Sequence, residues 1–171
     1  MLKNALLAAA IMTLPLYPGL TLAAGKIDVA TIGEPPTLDP MVSTADVVGM
    51  TTQHIFETLF TYDGEWNVVP LLADAMPEIS EEGRVYDITL RKDVRFHDGS
   101  TMDAGDVLAC IERWMSIASR GKQAAPYVEK VEVTGDNAIR ITLSKPYAPL
   151  LSLLAFNNSA AVIMPKENLA E

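Results

Sequence analysis

The chain carries one cysteine and two histidines in 171 residues. Cys110 therefore has no partner for an internal disulfide. A structural zinc site needs several closely spaced ligands, and His54 and His97 stand far apart with no such spacing around them. Positive charge is also scarce, with 13 Lys and Arg against 22 Asp and Glu and a net charge of −9. No basic run exists to neutralise phosphates, which excludes nucleic acid as a partner and argues equally against an anionic membrane surface. Missing as well are a phosphate-cradling glycine-rich loop, a G-x-S-x-G nucleophile turn, internal repeats, heptads and low-complexity tracts. No residue pattern calls for a cofactor or a resident metal. What is left is an acidic chain long enough for one ordinary domain with a sizeable core.

The longest apolar run stands at the N-terminus. "ALLAAAIMTLPL" follows Lys3 and precedes the small residues of "TLAAGK". It falls well short of the ~20 residues that cross a bilayer as a helix, and Pro15 and Pro18 would break one. These features read as a secretory signal over residues 1–23, cleaved after Ala23 or Ala24. No cysteine lies at the junction to carry a lipid. The expected product is a soluble, disulfide-free protein of a Gram-negative periplasm.

Beyond the leader the pattern is mixed α and β. "KIDVATI" (26–32) is apolar and β-branched and predicts a buried strand, ended by the prolines of "GEPPTLDP". Ser43, Thr44 and Asp46 are candidate caps for a helix through "VVGMTTQHIFETLF", with Val47, Met50, His54 and Leu59 along one side. "TYDGEWNVVP" predicts a hairpin turned at Asp63-Gly64. In "RVYDITLR" (84–91), Tyr86, Ile88 and Leu90 alternate with Val85, Asp87, Thr89 and Arg91, as in a strand with one buried face. "VEKVEVTGDNAIRITL" (128–143) predicts a hairpin, "APLLSLLAF" a short helix and "AVIMP" a short buried strand.

The densest cluster of reactive groups is "LRKDVRFHDGSTMDAGDVLACIERW", residues 90–114. Asp103 and Asp106 stand three residues apart at a helix start, where they cap backbone N–H groups and sit at the positive end of the dipole. Val107, Leu108, Ile111, Trp114 and Met115 then form one apolar stripe. Cys110, two turns in, reads as a small filler rather than a nucleophile. His97-Asp98-Gly99 reads as a turn rather than an oriented base.

That stretch resembles the signature of the extracellular solute-binding proteins of ABC importers, family 5. The resemblance rests on Leu90-Arg91, Phe96, Asp98-Gly99, Ala104-x-Asp106-Val107 and Glu112-Arg113. It extends to "PPTLDP", "IFETLFTYD", "PLLADAMPEISEEGRVYDITLR" and "IRITLSKPYAPLLSLLA". Asp103, Gly105 and Cys110 depart from the family's usual Thr, larger polar residue and Ser. The resemblance implies an α/β fold of the periplasmic-binding-protein type II kind. It places residues 24–45 at the start of the first lobe's main sheet, 46–158 in that lobe's accessory α+β subdomain, and 159–171 on the return to the main sheet. The second lobe would lie outside this chain, making it an N-terminal fragment of a longer product. It also implies a binding protein, not an enzyme, that takes up a peptide or similar small solute and delivers it to a membrane ABC permease, monomeric at full length. Ser43, Thr44 and Asp46, in the loop after the first strand, are the candidates for lining the cleft. Two rival readings are a secreted hydrolase using His97 and a small exported interaction domain complete at this length.

Overall fold

The computed structural model describes residues 28–170. The expected signal peptide, 1–23, lies outside them. Backbone proximity divides the chain into residues 1–30 and 31–171, and the architecture below is that of the second unit. Its elements run α1 (Asp46–Thr52), β1 (Glu57–Thr58), β2 (Phe60–Tyr62), β3 (Val68–Pro70), β4 (Glu78–Ser80) and β5 (Val85–Thr89). They continue with α2 (Ala104–Ile117), α3 (Ser119–Ala124), β6 (Val128–Gly135), β7 (Ala138–Leu143), α4 (Leu150–Ala155) and β8 (Val162–Ile163).

The largest sheet is antiparallel with the order β4-β5-β7-β6. Its register follows from side-chain alternation: Tyr86, Ile88 and Leu90 are buried, as are Ile139, Ile141 and Leu143 on β7. A one-residue slip would turn either set into solvent. On the open face Arg140 pairs with Asp87 directly opposite, Nε to Oδ1 at 2.8 Å and Nη2 to Oδ2 at 3.0 Å. That pair is half-exposed and serves register more than stability. Helix α2 packs across β6 and β7. Its stripe buries Val107, Ile111 and Trp114 fully, with Leu108 and Met115 half-buried. Side chains of this size contribute roughly 1.5–3 kcal/mol each when buried.

Helix α2 begins as its sequence demands. Asp103 Oδ1 accepts from the Asp106 N–H at 2.8 Å, and Asp106 Oδ2 accepts from the Asp103 N–H at 2.9 Å, a reciprocal capping box. Two small antiparallel sheets complete the fold: the β2–β3 hairpin, turned over Asp63–Asn67, and β1 paired with β8.

Three expectations need correction. Residues 29–32 of the predicted first strand are irregular and exposed, because no described strand pairs with them. Helix α1 stops at Thr52 instead of continuing toward Leu59. Residues 57–62 are extended instead, because Glu57 and Thr58 pair with Ile163 and Val162 while 60–62 pair with 68–70. Those pairings override a helical period that the apolar positions alone suggested. Finally, Val85 is buried although the alternation puts it on the open face of its strand.

Candidate ligand-binding face

Ser43 and Thr44 lie on a loop that enters α1 at Asp46 and is anchored at several points. Asp39 organises its start: Oδ1 accepts from the Met41 N–H at 2.9 Å, and the Asp39 N–H donates to Thr37 Oγ1 at 3.0 Å. Arg113, on α2, donates from Nη2 to Asp39 Oδ2 at 2.7 Å and lays Nη1 3.0 Å from the sulfur of fully buried Met41. The acidic "LDP" turn is thereby tied to the longest of the described helices. Beyond it, the Ser43 carbonyl accepts from the Ser159 N–H at 2.9 Å, while Ser43 Oγ accepts from the Ala45 N–H at 3.2 Å.

None of the three candidates caps α1. The N-cap position is Ala45 and makes no side-chain bond, with Asp46 exposed in the first turn. The reason is spatial. The carbonyl of Ser43 and the carboxylate of Asp46 face segment 157–159, where Asn158 Nδ2 donates to Asp46 Oδ1 at 3.3 Å. Thr44 is exposed. Gly49 sets how closely the two segments approach, since a Cβ there would lie 2.8 Å from the Asn157 carbonyl oxygen.

Segment 157–159 is itself gripped by α2 and α3. Ser159 is fully buried at φ 48°, a left-handed conformation that side chains avoid. Two contacts hold it there. Trp114 Nε1 donates to the Ser159 carbonyl at 2.9 Å, and Ser159 Oγ accepts from the Arg120 N–H at 3.2 Å. The Arg120 guanidinium lies 3.6 Å above the Phe156 ring, which meets Tyr62 edge-on at 5.3 Å. Arg120, Asn158 and Phe156 were not among the sequence candidates. The one signal available was the Asn-Asn pair set between an apolar helix and an apolar strand in "LLAFNNSAAVI".

A second concave feature lies away from this loop. It is a cavity of about 570 Å³ with both histidines in its wall, alongside Ile55, Phe56, Phe96 and Met164. A neighbouring cavity of about 360 Å³ shares Gln53, His54, Phe56 and Glu57 with it and also reaches Asn157. The larger cavity is mostly apolar and holds none of Ser43, Thr44 and Asp46, though it includes His97 of the rival hydrolase reading. His97 Nε2 sits 3.0 Å from the Ile55 carbonyl oxygen. Asp98 turns its Oδ1 to Ser100, accepting from N–H at 2.8 Å and from Oγ at 2.6 Å, which holds its carboxyl below the usual range. Gly99 follows at φ 89°. This is the geometry of a turn and supplies no oriented base for hydrolysis. Among the described residues, no group of three or more His, Cys, Asp and Glu is placed to hold a metal ion.

Cys110 is equally removed from chemistry. Burial pushes its thiol up to about 11. Its sulfur lies 3.3 Å from both the N and the O of Met164, bridging α2 to the end of β8. One turn earlier, Lys166 Nζ donates to Asp103 Oδ2 at 2.9 Å and its backbone N–H donates to Asp106 Oδ1 at 3.1 Å. Lys166 holds the Asp103 carboxyl below its usual range. The capping carboxylates thus also secure the segment that leaves β8.

Solved structures share this mixed α/β architecture. The periplasmic binding protein AgaA from A. tumefaciens R10, in complex with agropinic acid, is 30% identical with a TM-score of 0.73, over 81% of this chain and 28% of that one. DppA from Helicobacter pylori, an ABC transporter-associated periplasmic binding protein in complex with the peptide STSA, is 28% identical with a TM-score of 0.67, over 77% of this chain and 29% of that one. A glutathione-binding protein, GsiB of Salmonella paratyphi A, is 31% identical over 147 residues, 85% of this chain and 28% of its own length. The family model for bacterial extracellular solute-binding proteins, family 5 Middle, matches residues 67–170. The chain belongs to that family. It spans a little over a quarter of the length of these relatives.

Proposed function

We propose that the chain contributes one wall of the solute cleft in the substrate-binding component of an ABC importer. That protein captures a peptide or similar small solute outside the cytoplasmic membrane and passes it to the membrane permease. The observation that carries this reading is the anchored loop 39–46. Arg113 secures one end and segment 157–159 the other, leaving Thr44 and Asp46 toward solvent. A binding surface held before the ligand arrives loses less conformational freedom on binding. Family membership and relatives that bind glutathione, agropinic acid and a peptide support the same direction. In this reading residues 24–45 and 159–171 belong to the first lobe's main sheet and 46–158 to its accessory subdomain. A second lobe closes over the solute by a hinge motion that ligand contacts favour. The protein is exported to the periplasm after loss of residues 1–23 and works as a monomer.

Calorimetric titration of the exported protein against short peptides, glutathione and agropinic acid tests the proposal. Saturable heat from at least one of these solutes is the expected result. Silence across the panel, or Met1 still present on protein recovered from the periplasm, overturns the reading or its export step respectively.

A further inference from the structure

Arg120 and Asp46 carry opposite charges and share a neighbour, yet they do not pair with each other. Arg120 donates from Nε to the Asn158 carbonyl at 3.0 Å and to its Oδ1 at 3.1 Å, and from Nη2 to the same Oδ1 at 2.6 Å. The opposite end of that amide, Nδ2, donates to Asp46 Oδ1 at 3.3 Å. Among the described residues neither charge enters a salt bridge, although Arg113, Arg140, Arg84 and Lys166 each find a carboxylate. One neutral side chain thus keeps a cation and an anion apart.

The cation is held in an unusual state. Phe156 covers one face of the guanidinium, and partial burial lowers its affinity for a proton. Among the described residues Nη1 enters no hydrogen bond and no buried side-chain nitrogen is left unsatisfied, so that edge reaches solvent. A positive charge part-removed from water and met by the Asn158 amide, the Phe156 ring and nearby Tyr62, but by no carboxylate among the described residues, is incompletely compensated. A carboxylate approaching along the Nη1–Nη2 edge would complete it with charge-assisted hydrogen bonds. On the far side of Asn158, the Asp46 carboxylate is exposed and offers its other oxygen to a cationic donor. Met50, one helical turn on and 54% exposed, gives the same surface an apolar contact.

We propose that Arg120, Asn158 and Asp46 form a recognition site for a zwitterion, taking a carboxylate on Arg120 and an ammonium on Asp46. The solute class is an amino acid, a short peptide or a conjugate that keeps both charges. Asn158 is the positioning residue: it orients both charged groups and prevents their collapse into an internal ion pair. The inference rests on the solute-capture reading and narrows its substrate class.

Side-chain NMR of the isotope-labelled chain tests it, with glycylglycine, N-acetylglycine and glycinamide as probes. Glycylglycine should shift the Arg120 Nε–H and the Asn158 side-chain amide saturably. Each single-charge probe should bind about tenfold more weakly or worse, since each forfeits one charge-assisted contact. Arg120→Gln should remove the advantage of glycylglycine over glycinamide, and Asp46→Asn its advantage over N-acetylglycine. Neither variant alters a fully buried side chain, and retained amide dispersion confirms the fold of each. Resonances that stay still with glycylglycine, or equal affinity for all three probes, overturn the site. If calorimetry finds a bound solute whose affinity ignores both substitutions, the zwitterion site is wrong while solute capture stands. If no solute binds at all, capture itself fails and takes the site with it.

Discussion

Trp114 does two jobs with one side chain. Its ring fills the core beneath the β-sheet, and its Nε1 meets the carbonyl of a residue held at φ 48°. Trp114→Phe would keep most of the apolar contact but leave the Ser159 carbonyl buried without its donor. A loss of about 1–3 kcal/mol in urea unfolding is expected. A change within error would show that segment 157–159 does not depend on that bond. His97 is the opposite case. It is exposed, and its ring reaches one backbone carbonyl. His97→Ala should move stability by no more than about 0.5 kcal/mol. Stoichiometric zinc binding that vanishes in that variant would contradict the turn described above.

At the scale of elements, α2 organises the unit. Its stripe seals the sheet, Arg113 and Trp114 reach the two loops of the candidate face, and its capping carboxylates hold Lys166. The cap carries a pH dependence whose sign is fixed by Asp103. Its carboxyl titrates lower in the folded chain than its ordinary 3.8, because of the Lys166 ammonium first and the Asp106 N–H second. That contribution is complete above the unfolded value and fades as pH falls through the folded one. Lys166 is raised by the same contact, so its share is complete below its ordinary 10.5 and fades as pH rises past the folded value. Asp103→Asn, which can still cap, should flatten the acid limb of a stability–pH curve below the ordinary carboxylate range. Asp103→Ala, which cannot cap, should also cost about 1 kcal/mol at neutral pH. An unchanged acid limb in Asp103→Asn would remove Lys166 from the account.

Over the whole molecule, the ordered sheet and the irregular residues 29–32 should differ sharply in hydrogen exchange. Residues 85–87 are laddered between two neighbouring strands and back onto the buried core. Residues 29–32 lie in no described sheet, and Val29 and Ile32 are 79% and 105% exposed. Slow exchange in the first set and near-coil rates in the second are expected. Strong protection of 29–32 in a monomer would mean that the first predicted strand finds a partner within this chain after all.

Much of this was legible in advance because it is governed by short-range rules. The capping box of Asp103 and Asp106, the Asp63 hairpin and the alternation of Ile139, Ile141 and Leu143 are each decided within a few residues of chain. The Asp98-Gly99 turn is local in the same way, and the family signature is built from these same stretches. The end of α1 was not legible, since Glu57 and Thr58 become extended only by pairing with residues more than a hundred positions on. The candidate face was half legible. Its loop shows in the spacing of Asp39 to Asp46, but Arg120 and Asn158 reach that loop only after α2 and α3 have carried them there. Local sequence determines which backbone forms are favoured. Which charges meet, and which are kept apart by a single amide, is decided by packing between segments that the sequence itself leaves far apart.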